Sequence, residues 1–477
     1  MSTTSIAAAT GTTAPASGAA VTAAATRYRS VLIVLSTASF MASLDLFIVN
    51  VAFADIGRDF DGQSLGNLSW ILNGYAVLYA ALLVPLGRLA DRYGRRTGFL
   101  AGLGLFTAAS AACAASPGLW SLVAFRGLQA VGAAALTPTS LGLLLAATPA
   151  DRKVKAVRIW AAIGALAAAF GPVVGGLLVQ LDWRWVFLVN IPIGVAALIA
   201  GYRVLSDSHD LSVERIPDLL GAVFIVVGVG SFALGLVKGP DWGWGSPGVV
   251  AAFVVAASAI TIFWRRSGSH DLPVIELSLL RVPSFAWSNV TAVVFNAAFG
   301  AGLLAIVLWL QEGWHYSAIR TGLAVAPGPL MVPLFTAVAQ RLASRGVAPG
   351  RLAALGCALF GVGTLMVSVA VGASPSYAAD MLPGWLVGGA GVGFAFPTIM
   401  SAATADLPAA RSATGSAVVS MSRQIGLVLG VSVFVAVLGS PVGYGALHHG
   451  FQHAWWTIAG LDLLAAITAL GMTPRRG

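Results

Sequence analysis

The chain has 477 residues, 58% of them hydrophobic and only 9% charged, with a mean hydropathy of +0.86. A soluble domain carries roughly 25% charged residues, and no soluble fold of this size hides so much apolar surface, so the composition demands a lipid environment. The net charge of +9 does not indicate nucleic acid, because the basic residues stand in short clusters between apolar runs, with no interleaved aromatic stripe.

Residues 1–26 are mostly Ala, Thr, Ser and Gly, without a charged side chain. They lack the basic n-region of a signal peptide and are expected to form a disordered cytoplasmic tail. A spanning helix needs about 20 apolar residues, and fourteen stretches qualify: 31–53, 66–87, 97–115, 119–147, 154–180, 184–204, 217–238, 247–265, 284–311, 317–341, 350–372, 377–403, 410–438 and 453–472. With both termini placed in the cytoplasm, only Arg58, Arg184, Lys238 and Arg320 of the 27 Lys and Arg fall outside, and Arg126 and Arg423 lie within spans. All the others fall inside, as the positive-inside rule requires. The chain is therefore expected to be a multi-pass cell-membrane protein with both ends cytoplasmic.

Along these spans the ionisable residues are few, and inside a membrane each is a functional candidate. Span 1 carries Asp45, and Asn50 beyond it; span 4 carries Arg126 and Gln129; span 13 carries Arg423; span 14 carries Asp462. Asp45 suits a proton carrier, with Arg126 as its cation in one conformation. Asn50, Gln129, Arg423 and Asp462 are candidate cavity residues. Between spans 2 and 3 lies Gly87-Arg88-Leu89-Ala90-Asp91-Arg92-Tyr93-Gly94-Arg95-Arg96, and Arg341-Leu342-Ala343-Ser344-Arg345 echoes its centre after span 10. The echo fits two six-helix bundles separated by two extra spans. Span 5 holds Gly164 and then Gly171-Pro172-Val173-Val174-Gly175-Gly176. Glycines one turn apart, at 171 and 175 and again at 426 and 430, let helices approach closely in lipid, and Pro172 removes a backbone hydrogen bond.

Cys113 and Cys357 sit singly in apolar runs, as core residues do. His448, His449 and His453 are expected in a solvated outer loop, and Trp242 and Trp244 at the membrane interface. There is no nucleotide-binding loop and no nucleophile with a base, so the chain is not expected to be an enzyme and needs no cofactor. An ion gradient must supply the energy.

The loop at 87–96 resembles the G-x-L-x-D-R-x-G-R-R/K signature of the major facilitator superfamily. Arg126-Gly127-Leu128-Gln129-Ala130-Val131-Gly132-Ala133 is similar to its R-x-x-Q-G-x-G-A, with Ala130 in place of Gly. The 171–176 stretch resembles the G-P-x-x-G-G antiporter signature. Leu44-Asp45-Leu46-Phe47-Ile48-Val49-Asn50-Val51-Ala52 resembles the first span of 14-helix drug:proton antiporters, with Phe47 where Thr is usual, and 183–194 is similar to the same subfamily. The resemblance implies an all-α membrane fold of two six-helix bundles plus two linker helices. It also implies that Gly87, Arg88, Asp91, Arg92, Gly94 and Arg95 form a gating loop in which Asp91 meets the start of span 13 near Ala409 to Ala413. A carboxylate is favoured at that helix N-terminus. The expected organisation is a tail (1–26), an N-terminal bundle (27–205), linker helices (206–270), a C-terminal bundle (271–472) and a tail (473–477). The expected activity is proton-coupled export of small hydrophobic or cationic drugs by a monomer. A transporter of one metabolite and a non-transporting receptor are the alternatives.

Overall fold

The computed structural model describes residues 18–149, 152–208, 217–408 and 411–473. Among them the chain is helical throughout, with no strand. The N-terminal bundle comprises α1 (Gly18–Asp59), α2 (Leu65–Tyr93), α3 (Arg95–Ala114), α4 (Leu119–Ala147), α5 (Lys153–Val179) and the sixth span, split into α6 (Trp185–Leu188) and α7 (Asn190–Val204). Two linker helices follow, α8 (Leu219–Trp242) and α9 (Pro247–Ser269). The C-terminal bundle comprises α10 (Pro283–Leu308), a span split into α11 (Ala318–Val325) and α12 (Pro327–Ser344), α13 (Pro349–Ala370), α14 (Leu382–Ala405), α15 (Ser412–Leu438) and α16 (Tyr444–Leu470). Thirteen described segments are long and apolar enough to cross a membrane. The fourteenth is α5, with 27 residues and no charge beyond Arg158.

Two expectations are corrected. The first helix opens at Gly18, ahead of the expected boundary at residue 27, because the Ala-rich stretch has high helix propensity; residues 1–17 lie outside the described residues. His448, His449 and His453 are not in a loop. They lie on α16, whose first turns start at Tyr444, where His448 stacks on Tyr444 and packs against Trp309.

The repeat seen in the sequence is built into the packing. A Cβ on Gly171 would stand 2.7 Å from that of Phe47, and one on Gly175 would stand 3.1 Å from the Ile48 carbonyl, so α5 rides directly on α1. Gly426 and Gly430 press α15 onto the Val293 and Ala297 carbonyls of α10 in the same way. In each bundle the third and fourth spans also meet backbone to backbone, at Gly102 and Gly132 in one and at Gly356 and Gly391 in the other. Close backbone approach of this kind replaces the hydrophobic effect as the packing force in lipid.

The bundles touch one another at the ends of the helices remote from the basic loops. There Gly176 meets Ala318, and Gly322 abuts the Pro172 carbonyl. Gln311 donates to the Val51 carbonyl at 3.0 Å, Asn73 donates to the Ser432 hydroxyl at 3.1 Å, and Arg58 faces Glu312 at 3.8 Å. This conformer is closed at that end.

Candidate functional site

Asp45 lies mid-way along α1, wholly buried inside the N-terminal bundle. Its carboxylate takes the Arg126 guanidinium of α4 at 2.5 Å. The other oxygen accepts from the Gln129 amide at 2.8 Å and from Asn190, the first residue of α7, at 3.1 Å. All three partners donate, which is the geometry of a carboxylate. Gln129 in turn accepts from Arg126 at 2.7 Å, and Gln129 and Asn190 both donate to Ser110 of α3 at 2.9 Å. The guanidinium carbon stands 4.1 Å from the centroid of the Tyr75 ring, and Nε reaches the Ile71 carbonyl at 3.4 Å. A buried ion pair survives only when its remaining lone pairs and protons are satisfied, and here five helices supply the partners.

The spacing of Arg126 and Gln129 accounts for part of this. Residues three apart share a helix face, so one turn of α4 delivers both to Asp45. The structure brings Asp45, Arg126 and Gln129 together. Gln129, expected to line a cavity, is fully buried in the network instead, because its amide is needed to satisfy Asp45. Ser110 and Asn190 are partners that the sequence did not single out. Asn190 was visible as a polar residue beside Pro192 in an apolar run.

The other candidates are spread over the molecule. Asn50 is partly exposed and donates to the Leu46 carbonyl of its own helix at 3.0 Å. Asp462 is fully buried on α16, beside Gly361 of α13, so it is a residue of the C-terminal bundle interior and not of a cavity wall. Neither of its oxygens has a hydrogen-bond partner among the described residues. Arg423 is partly exposed on α15, with its guanidinium carbon 3.9 Å from the centroid of the Phe396 ring of α14.

The loop at 87–96 is tied on two sides. Gly94, at φ 118°, makes the turn between α2 and α3, a conformation that favours glycine, and its N–H closes on the Ala90 carbonyl at 2.9 Å. Gly87 lets α2 approach Pro138 of α4. Arg96 donates to the Tyr202 carbonyl at 2.7 Å. Asp91 pairs with Arg95 at 2.6 Å, and Arg92 lies over the Tyr93 ring. Of the stretch that the family resemblance pairs with Asp91, Ala409 and Ala410 lie outside the described residues. The described link from this loop to the start of α15 runs through Glu276. That carboxylate takes Arg88 at 2.9 Å and faces Arg411 at 3.9 Å. Arg411 also donates to Ser278 at 3.1 Å. Glu276 belongs to no motif, and nothing in the sequence singled it out.

On α5, Gly171 and Gly175 face α1, whereas Gly176 and Pro172 face α11 of the opposite bundle. Gly164 lies loosely against Ser43 and Ser39. The antiporter-like stretch is thus where one bundle bears on the other. Among the described residues no group of three or more His, Cys, Asp or Glu is placed to hold a metal ion.

Comparison with known proteins gives one family model, described as Major Facilitator Superfamily, over residues 35–431. A methylenomycin A resistance protein of Streptomyces coelicolor is 31% identical, over 91% of this chain and 93% of its own. A protein of the same description from Bacillus subtilis is 37% identical over 66% of this chain and 68% of its own. The multidrug resistance protein Stp of Mycobacterium tuberculosis is 35% identical over 86% of this chain and 75% of its own. Among solved structures, a POT-family peptide transporter aligns with a TM-score of 0.68 at 18% identity, covering 92% of this chain and 93% of its own. A D-xylose-proton symporter aligns at 0.66 with 13% identity, covering 93% and 98%. At such identities the solved structures attest the fold alone.

Proposed function

The chain belongs to the major facilitator superfamily and is a multi-pass membrane transporter, and on that premise we propose that it exports hydrophobic drugs or antibiotics across the cytoplasmic membrane in exchange for protons. The names of its relatives, resistance and multidrug resistance proteins, support the direction and the kind of cargo. The observation that carries the coupling is the Asp45–Arg126 pair, an ion pair kept at membrane depth. Intramembrane charges are expensive and persist where they move ions or protons.

The pair has a mechanical route to the bundle interface. Phe47 and Ile48 follow Asp45 on α1 and pack against Gly171 and Gly175 of α5, and the next glycine, Gly176, meets α11. A proton on Asp45 cancels its charge and leaves Arg126 unpaired. Breaking a buried pair on one side costs about 3–5 kcal/mol. That is enough to displace a two-state equilibrium by about two to nearly four orders of magnitude. Protonation thereby biases the α1–α5 seam, and through it the contact with α11. Because Asp45 has no exposure in this conformer, a cargo molecule has no access to its carboxylate here. The exchange of cargo and proton is conformational rather than a direct contest for one carboxylate.

The test is an Asp45→Asn variant in proteoliposomes with an imposed pH gradient, recording substrate and proton flux together. The variant is expected to lose uphill export while keeping gradient-free substrate exchange, which needs no net proton movement. Concentrative export by the variant at the original proton ratio removes Asp45 from the coupling.

A further inference from the structure

Resting on the export reading above, we propose that the cargo carries an anionic group, a carboxylate, phenolate or sulfonate on an apolar aromatic frame, and that Arg423 binds it. Four acidic or basic side chains lie deep within the spans: Asp45, Arg126, Arg423 and Asp462. The first two cancel one another in a sealed network, and Asp462 is enclosed in the C-terminal bundle. Arg423 alone of the four is both partly exposed and without a carboxylate partner among the described residues.

Its position points between the bundles. α15 packs along α2, and Arg423 lies within electrostatic reach of Tyr79 on that helix. The Tyr79 hydroxyl donates to Thr137 of α4 at 3.1 Å, so toward Arg423 it offers only a lone pair. From the C-terminal side the guanidinium rests on the face of Phe396. The neighbouring Ser422 turns away and donates to Asn289 at 2.8 Å, and the Arg423 Nε finds no acceptor among the described residues. A guanidinium held over a ring, with no hydrogen-bond acceptor among the described residues, offers a flat fork to a planar anion, and the ring beneath it extends an apolar floor for the rest of the ligand. No described carboxylate is left beside it to attract a cation. The arrangement therefore selects against the cationic cargo that the sequence suggested.

Two dyes of one xanthene frame and opposite charge test this: fluorescein, an anion, and rhodamine 6G, a cation. Equilibrium dialysis against the purified full chain is expected to show fluorescein bound. Arg423→Gln should weaken that binding at least tenfold and Arg423→Lys by an intermediate amount, with melting temperatures near wild type, while any rhodamine binding stays unchanged. No fluorescein binding by the wild type, or equal affinity in Arg423→Gln, overturns the proposal. Flux in proteoliposomes under a pH gradient separates it from the export reading. If fluorescein binds through Arg423 but neither dye moves uphill, the anion site stands and the export reading fails. Uphill rhodamine export that Arg423→Gln leaves untouched, with no fluorescein export, does the reverse.

Discussion

At the scale of single residues, Asp45 is held by three donors at once, and its neighbours define what its loss means. Arg126→Leu leaves a carboxylate facing only two amides in a sealed interior. We expect it to lower stability by about 3–5 kcal/mol, seen as an early thermal transition in detergent. Asp45→Asn combined with Arg126→Leu should recover much of that loss, because no charge then remains; a double variant no better than the single one refutes the pairing as the cause. Asp45 and Arg126 were legible in the sequence because a lone charge inside a long apolar run is expensive to keep. Asn190 and Ser110 were not, since a small polar residue in a span is common and its partners come from helices far away in the chain. Arg423 was legible as a charge, but that no described carboxylate pairs with it, and that it rests on Phe396 instead, is a property of three dimensions.

Helices, in this molecule, meet at backbone. Gly176 and Gly322 sit where α5 and α11 of opposite bundles touch, and a side chain at either would enter the other helix. Gly176→Val should therefore disfavour the conformer closed at that end. Expected outcomes are at least a tenfold fall in turnover and faster labelling of a Gln311→Cys probe by a membrane-impermeant maleimide, since Gln311 is buried against Val51 in this conformer. Unchanged labelling removes the steric argument. At the opposite end, Glu276 joins Arg88 to Arg411. Its partly exposed pairs are worth about 1 kcal/mol, so Glu276→Gln should change turnover roughly fivefold, with little change in KM. Asp91→Asn should likewise reduce turnover more than binding. A larger effect on binding than on turnover would argue against a gate at this loop. The span pattern was readable from hydropathy alone, yet the breaks were not. α11 ends where Pro327 begins α12, and Tyr377 and Trp385 donate to the last carbonyls of α11, at Ala324 and Val325. That capping comes from a neighbouring span, and sequence periodicity carries no trace of it.

Considered whole, the molecule is two bundles of matched packing joined by α8 and α9, and most of its basic residues fall by sequence position at one end. Reporter fusions at Gly477 and within the loop at 439–443 are expected to give opposite signals, with the Gly477 fusion cytoplasmic; equal signals refute the fourteen-span reading. The overall fold was legible because lipid imposes length and charge rules on every span, whereas the conformer adopted depends on contacts between halves distant in sequence. Arg423, with no carboxylate partner among the described residues, bears on energetics as well as recognition. An anion leaving the cell and a proton entering it carry charge in the same electrical sense. One-for-one exchange of a monoanion then moves two elementary charges, and a membrane potential of 100 mV, negative inside, adds about 4.6 kcal/mol to the drive. Export would continue on voltage alone after the pH gradient collapses. A potassium diffusion potential set by valinomycin, with equal pH on both sides, should drive an anionic cargo outward and leave a neutral one responding only to the proton.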